Sequence, residues 1–459
     1  MNTLGTPAQL RNPDYMPPLG TAIPLGIQHV MAMFVSNVTP AIIIAGAAGF
    51  GFGSNSPDFP DMLYLIQMAI LFAGIATLFQ TIGMGPVGAR LPIVQGTSFA
   101  FIPIMIPLVA GQGTAAMAAL MTGVIFGGIF HLLLGTVVGR IRFALPPLVT
   151  GLIVLMIGLA LIRVGIQYSA GGVPAMGTDA FGSLKSWSIA LVVIIVTLLI
   201  KFYTRGFWSV GAVLLGILAG YAVAFVLGEV SFRNVGNASW LAPPVPFKWG
   251  FDFTIVAVVG FMFMAVVSTI ETVGDVSGIT KGGAGREATD REITGATYAD
   301  GLGSAIAGVF GGTPNTSFSQ NVGLVSMTGV MSRHVVTIGA LFLIVAGLIP
   351  KIGAVISTIP IEVLGGGVVV MFGMVTAAGV RMLADVDWTK RNMLIFAVSL
   401  SIGLGLQLEP TALQHLPRTA QILLTSGLLP AAVIAIGLNL ALPKEVEAIP
   451  ESRPETTGN

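Results

Sequence analysis

Gly96-Thr97-Ser98-Phe99 and Asn315-Thr316-Ser317-Phe318 are the two stretches that decide how this chain folds. The first falls in, and the second leads into, an apolar segment, 86–104 and 316–331 respectively, that glycine, proline, serine and threonine break too often for a complete spanning helix. Working outward from them, twelve further apolar segments appear, at 22–48, 62–82, 114–138, 146–165, 187–203, 207–228, 253–278, 290–310, 334–350, 360–380, 391–407 and 416–442. Most are about 20 residues long, the length a helix needs to cross a ~30 Å hydrocarbon core at 1.5 Å per residue. Of 459 residues 54% are apolar and only 9% charged, against about 25% charged in a soluble domain. So few charges cannot cover a soluble surface, and the bilayer becomes the expected solvent.

The chain also repeats itself. Pro146-Pro147-Leu148-Val149-Thr150-Gly151 opens the fifth segment and Pro360-Ile361-Glu362-Val363-Leu364-Gly365 the twelfth, 214 residues on, while the two interrupted stretches lie 219 residues apart. Both offsets equal seven segments, and an odd number turns the second half upside down relative to the first. The expectation is an all-α polytopic membrane protein of fourteen segments in two inverted repeats of seven. Exposed backbone is not tolerated in lipid, so interrupted segments must be buried in protein or line a wet cavity. When they occupy matching places in inverted repeats they point to a transporter's binding site near the midplane. With both termini cytoplasmic, fifteen of the 21 Lys and Arg fall inside, Arg142, Lys444 and Arg453 among them, and six outside, the bias the positive-inside rule expects.

Several functions are excluded. A net charge of +1 without a long basic run argues against nucleic acid. With no cysteine there is no disulfide, thiolate or cysteine metal site. No phosphate-binding loop, His-Glu-x-x-His helix or Gly-x-Ser-x-Gly elbow occurs, and Gly49-Phe50-Gly51-Phe52-Gly53 reads only as a loop. We therefore expect neither an enzyme nor a cofactor or metal. The segment 1–20 is polar and lacks the pattern of a cleavable signal, so insertion falls to the first internal helix.

The polar residues inside the apolar segments narrow the site. Glu271 and Asp275 are four apart on one helix face, where a carboxylate costs roughly 2.5–3.5 kcal/mol at mid-membrane and so faces a cavity or a partner. They read as a proton carrier, with pairing to Lys281 and Arg286 as the plainer alternative. His29 reads as a proton relay or as a hydrogen-bonded core residue. Gln320 offers both a donor and an acceptor to a flat ligand edge. Asn321 can bind alongside it or satisfy the broken backbone, and Phe99 can stack on a ring or pack in the core.

Gln320-Asn321-Val322-Gly323-Leu324-Val325-Ser326-Met327-Thr328-Gly329 resembles the signature of the nucleobase/ascorbate transporter family, the xanthine/uracil permeases. Gln28-His29, Ser98-Phe99, Glu271-Thr272-Val273-Gly274-Asp275 and Ala299-Asp300-Gly301 are similar to the family's other landmarks, in family order, so the resemblance runs from about residue 20 to 443. It implies short strands in segments three and ten. It also implies a core domain from 21–140 and 249–350, a gate domain from 141–248 and 351–443, and cytoplasmic tails at 1–20 and 444–459. Glu271 and Gln320 would hydrogen-bond a base, Phe99 would pack on it, and Ser319, Ser98 and Asn321 would border it. Glu271, Asp275, His29 and Asp300 would couple protons. The implied activity is proton-coupled, alternating-access uptake of xanthine or uric acid by a homodimer in a cell membrane, a bacterial inner membrane. Uracil or an anion on the same fold is the alternative. Val322 and Ser98 depart from several xanthine carriers and leave the choice between xanthine and urate open. Gate residues would lie around Gly365 to Gly367 and Ser426.

Overall fold

In a medium without water the backbone can satisfy its amides and carbonyls only internally, so apolar runs of this length become helices. The computed structural model describes residues 5–50, 58–141 and 146–443. Gly51 and Gly53, Arg142, Lys444, Arg453 and the tail 444–459 lie outside the described residues. The helices are α1 Pro7–Leu10, α2 Leu19–Ala48, α3 Phe59–Ile82, α4 Ile102–Val109, α5 Met117–Leu134, α6 Val138–Ile141, α7 Pro147–Ser169, α8 Leu184–Tyr203, α9 Phe207–Val210 and α10 Ala212–Val226. They continue as α11 Arg233–Asn237, α12 Ile255–Ile279, α13 Asp290–Val309, α14 Ser319–Thr328, α15 Arg333–Gly347, α16 Pro350–Ile356, α17 Ile361–Leu383, α18 Lys390–Leu408, α19 Arg418–Thr425 and α20 Leu428–Ala441. Among the described residues there are also two strands, β1 Gln95–Thr97 and β2 Asn315–Ser317. Among the described residues eight helices are long and apolar enough to cross a bilayer, and ten if each of two sharply bent pairs is one crossing.

The helices pack in two groups. In one, α5 lies against α12 and α13, and α3 against α2, α13 and α15; in the other, α17 runs along α7 and α8, and α20 packs on α7 and α18. Small residues allow the closest approaches: a side chain on Gly128 would come 2.4 Å from the Ala305 backbone, and one on Gly301 2.2 Å from that of Leu132, the tight seam expected where no hydrophobic force drives helices together. Joining the groups are an edge-to-face contact of Phe99 with Phe372, centroids 5.2 Å apart, and a 3.1 Å contact from Ser36 Oγ to Met371 Sδ.

The segment expected at 86–104 is a strand at 95–97 and then a helix, which therefore ends at Val109 rather than Ile104. The segment read as continuous at 416–442 is bent by 77° between α19 and α20, whereas that at 334–350 is α15, after which the chain turns by 88° into the additional short helix α16. Pro350 opens α16, and proline disfavours helix in the residue before it. Gly427 at the second bend takes a φ of +70°, which breaks the helix. The start of the chain is tied down: the Met331 amide donates to Leu10 O, the Arg333 amide to Pro13 O, and the Arg333 side chain reaches Asp14 at 2.6 Å and Thr81 O at 2.7 Å.

Candidate functional site

β1 and β2 pair antiparallel, with Gln95 opposite Ser317, Gly96 opposite Thr316 and Thr97 opposite Asn315, and all six are buried. The Ser98 amide donates to Pro314 O and the Phe318 amide to Val94 O, so the pairing is extended at both ends. Gly96 is required by space: a Cβ there would stand 2.5 Å from the Phe318 ring and 2.8 Å from Asn37 Oδ1. Asn37 splints the broken backbone, accepting from the Thr97 amide at 2.8 Å and donating to Ala69 O at 3.0 Å. Each strand then turns into a helix, a 3-10 turn at Phe99–Phe101 leading to α4, and α14 at Ser319. Two helix N-termini, each with unpaired amides and partial positive charge, thus start beside the strand pair.

One face of α12 forms the wall. Ser268 Oγ donates to Thr316 Oγ1 at 3.1 Å, Thr272 Oγ1 donates to Asp300, and Asp275 accepts from Ser317 Oγ at 2.8 Å and Ser319 Oγ at 2.7 Å. Asp300 is fully buried and also accepts from Gln95 Nε2 and, at 2.9 Å, from Gln80 Nε2. Asn321 Nδ2 donates to His29 Nδ1 at 2.9 Å and to His29 O at 3.1 Å, which makes His29 an acceptor through Nδ1 in this arrangement. The plainer reading of Asp275 fails, because Lys281 pairs with Glu287 at 3.0 Å and Arg286 with Glu292 at 2.5 Å.

Glu271 stands apart from these bonds. It is half-buried, its Oε2 is sealed from solvent, and its carboxylate has no hydrogen-bond partner among the described residues. Ser98 Oγ, Asn321 Oδ1 and Gln95 Oε1 are likewise buried without partners. Leaving such a group unpaired costs about 1–3 kcal/mol, and several around one strand pair mark a place built to receive a polar ligand. Gln320, half-buried, faces a cavity of about 600 Å³ that Ser319 and Gly323 share with Ser36, Met371 and Lys201. Glu271 and Phe99 are not in that lining; Glu271 is one turn from Asp275 on α12, and Gln320 follows the Ser319 that Asp275 binds.

The sequence singled out the carboxylates and missed the residues that hold them. Gln80, Gln95, Thr272, Ser268 and Ser317 were not anticipated; the only signal for Gln95 and Ser317 was their place in the two interruptions.

Apolar helices around a polar centre made of two broken segments, reached by a cavity, define a membrane transporter. Residues 20–411 match the permease family Xan_ur_permease, and the chain belongs to that family, the nucleobase/ascorbate transporters or xanthine/uracil permeases. Among its relatives are the xanthine permease XanP of Escherichia coli, 34% identical over 94% of this chain and 93% of that protein, and the xanthine permease of Bacillus subtilis, 33% identical over 92% and 93%. In fold it is similar to the transmembrane domain of a cyanobacterial bicarbonate transporter, BicA, with a TM-score of 0.57 at 16% identity, covering 90% of this chain and 97% of that one. A second likeness is to the murine Solute Carrier 26 family member A9 anion transporter in its inward-facing state, with a TM-score of 0.58 at 12% identity over 91% and 67%. The chain is a multi-pass membrane transporter and not an enzyme.

Proposed function

We propose that this permease is a proton-coupled symporter of an oxidised purine base, xanthine or uric acid. The carrying observation is that Glu271 and Gln320, whose side chains make no hydrogen bond among the described residues, lie one helical turn and one residue respectively from the two partners of the Asp275–Ser319 bond. The Glu271 carboxylate accepts ring N–H groups of the base, the Gln320 amide answers a neighbouring carbonyl and N–H edge, and Phe99 packs against the ring. Ser319 contributes backbone beside Gln320, and Ser98 and Asn321, each buried with an unpaired oxygen, add contacts to the base. Protons pass through Glu271 and Asp275, with His29 and Asp300 fixing the surroundings in which they titrate. Coupling follows when proton and base each favour the same conformation.

In this reading α2–α5 with α12–α15 form the core, joined by α16, which packs on α3 although the boundary expected at 350 assigns it to the gate, and α7–α10 with α17–α20 form the gate against which the core moves, in a fold of fourteen segments. Two observations support the repeat. The helices α7 and α17, which pack on each other, begin 361 − 147 = 214 residues apart. The post-strand helices begin at Phe99 and Ser319, 319 − 99 = 220 apart, one more than the sequence echo suggests. The working form is a homodimer in the bacterial inner membrane with both termini cytoplasmic.

The test is competition for uptake of radiolabelled xanthine into liposomes holding the purified protein. Unlabelled xanthine and urate should displace the label while uracil and sulfate do not. Displacement by sulfate or uracil, with urate ineffective, would make this an anion or pyrimidine carrier instead.

A further inference from the structure

A second cavity, of about 310 Å³, lies between the two helix groups away from Gln320. One wall is Pro103, Ile106 and Pro107, on the helix that follows Phe99; the facing wall is α7 with Gln407 from the end of α18. Its volume is at the lower end of the roughly 300–1,000 Å³ typical of small-molecule sites. Arg163 is the only charged residue in its lining, and its guanidinium makes no hydrogen bond or ion pair among the described residues. Gln167, four residues on, shares that face of α7. Gln407 donates through Nε2 to Ala160 O at 2.9 Å, which turns the amide and leaves Oε1 sealed from solvent without a partner.

These groups specify a ligand. A free planar guanidinium suits an anionic O–C–N edge, which it can grip with two parallel N–H donors. The Gln167 amide in the lining offers an oxygen to an N–H, and the unpaired Gln407 Oε1 takes a second once its side chain turns toward the cavity. Proline rings and aliphatic side chains on both sides suit the faces of a flat ring. We infer that Arg163, Gln167 and Gln407 form a capture site for a planar heteroaromatic monoanion, ahead of the central site. Urate, anionic at neutral pH and carrying ring N–H groups, is the fitting probe, and hypoxanthine is its neutral control; sulfate and bicarbonate have the charge without the N–H or the flat faces. Only the choice of probe rests on the purine reading above.

The experiment is equilibrium binding of radiolabelled urate to purified full-length protein whose central site is disabled by Glu271→Gln with Gln320→Ala. One residual site is expected, weakened about tenfold or more by Arg163→Gln, as for loss of a charge-assisted bidentate contact, and weakened also by Gln407→Leu. Arg163→Lys should recover part of the affinity, which separates loss of charge from loss of fold. Excess unlabelled urate should displace the label; hypoxanthine, sulfate and bicarbonate should not. Absence of residual binding overturns the inference, as does binding indifferent to Arg163→Gln, the result if Arg163 merely reaches for lipid headgroups, or displacement by the inorganic anions. A wild-type protein that transports no purine yet keeps Arg163-dependent urate binding defeats the symport reading and supports this site.

Discussion

Asp300 and Glu271 are carboxylates in the same apolar surroundings with opposite hydrogen-bonding states. Asp300 is filled by Gln80, Gln95 and Thr272, all donors, so Asp300→Asn sets an amide N–H₂ against them. That substitution should destabilise the protein by about 1–3 kcal/mol, seen as a lower thermal midpoint in detergent together with lost uptake. Glu271 has no such partners, so Glu271→Gln should leave the thermal midpoint unchanged while lowering kcat/KM for the base at least about tenfold. Equal stability losses for the two would refute this division. Glu271 and Asp275 were legible in the sequence because a charge inside an apolar run is rare and conspicuous. The donors around Asp300 were not, because amides and hydroxyls are common and Gln80 meets Asp300 across 220 positions of sequence.

At the scale of elements, the interruption at Gly96 is held by close packing. Gly96→Ala should push Phe318 or Asn37 out of place, costing about 1–3 kcal/mol as overpacking does, and transport should fall with it. Normal uptake and stability in that variant would mean the strand pair has slack the geometry does not show. The breaks near Gly96 and Asn315 could be read because proline, glycine and hydroxyl residues crowd there. The bend at Gly427 escaped notice because apolar residues run through it, and a single backbone-driven kink leaves the hydropathy of a segment untouched; the short helix α16 after Pro350 is too brief to register as a segment of its own.

At the scale of the whole molecule, the two helix groups touch beside the site, and the alternating access proposed above requires those contacts to change. The chain has no cysteine, so Ser36→Cys with Met371→Cys offers two unique thiols at a point where the native side chains lie 3.1 Å apart. A short bis-methanethiosulfonate bridge there should stop uptake and a reductant should restore it; undiminished uptake by the bridged protein would mean the groups do not move past each other at this point. The grouping itself was not readable from composition, since both groups are built of the same apolar helices. The most direct test of the account is uptake of radiolabelled xanthine and urate into liposomes under an imposed gradient, acidic on the side of substrate addition, for wild type and Glu271→Gln. Wild type should accumulate label above equilibrium, an accumulation that collapses with the gradient and is absent in the variant. Wild-type rate and pH dependence in Glu271→Gln would contradict it.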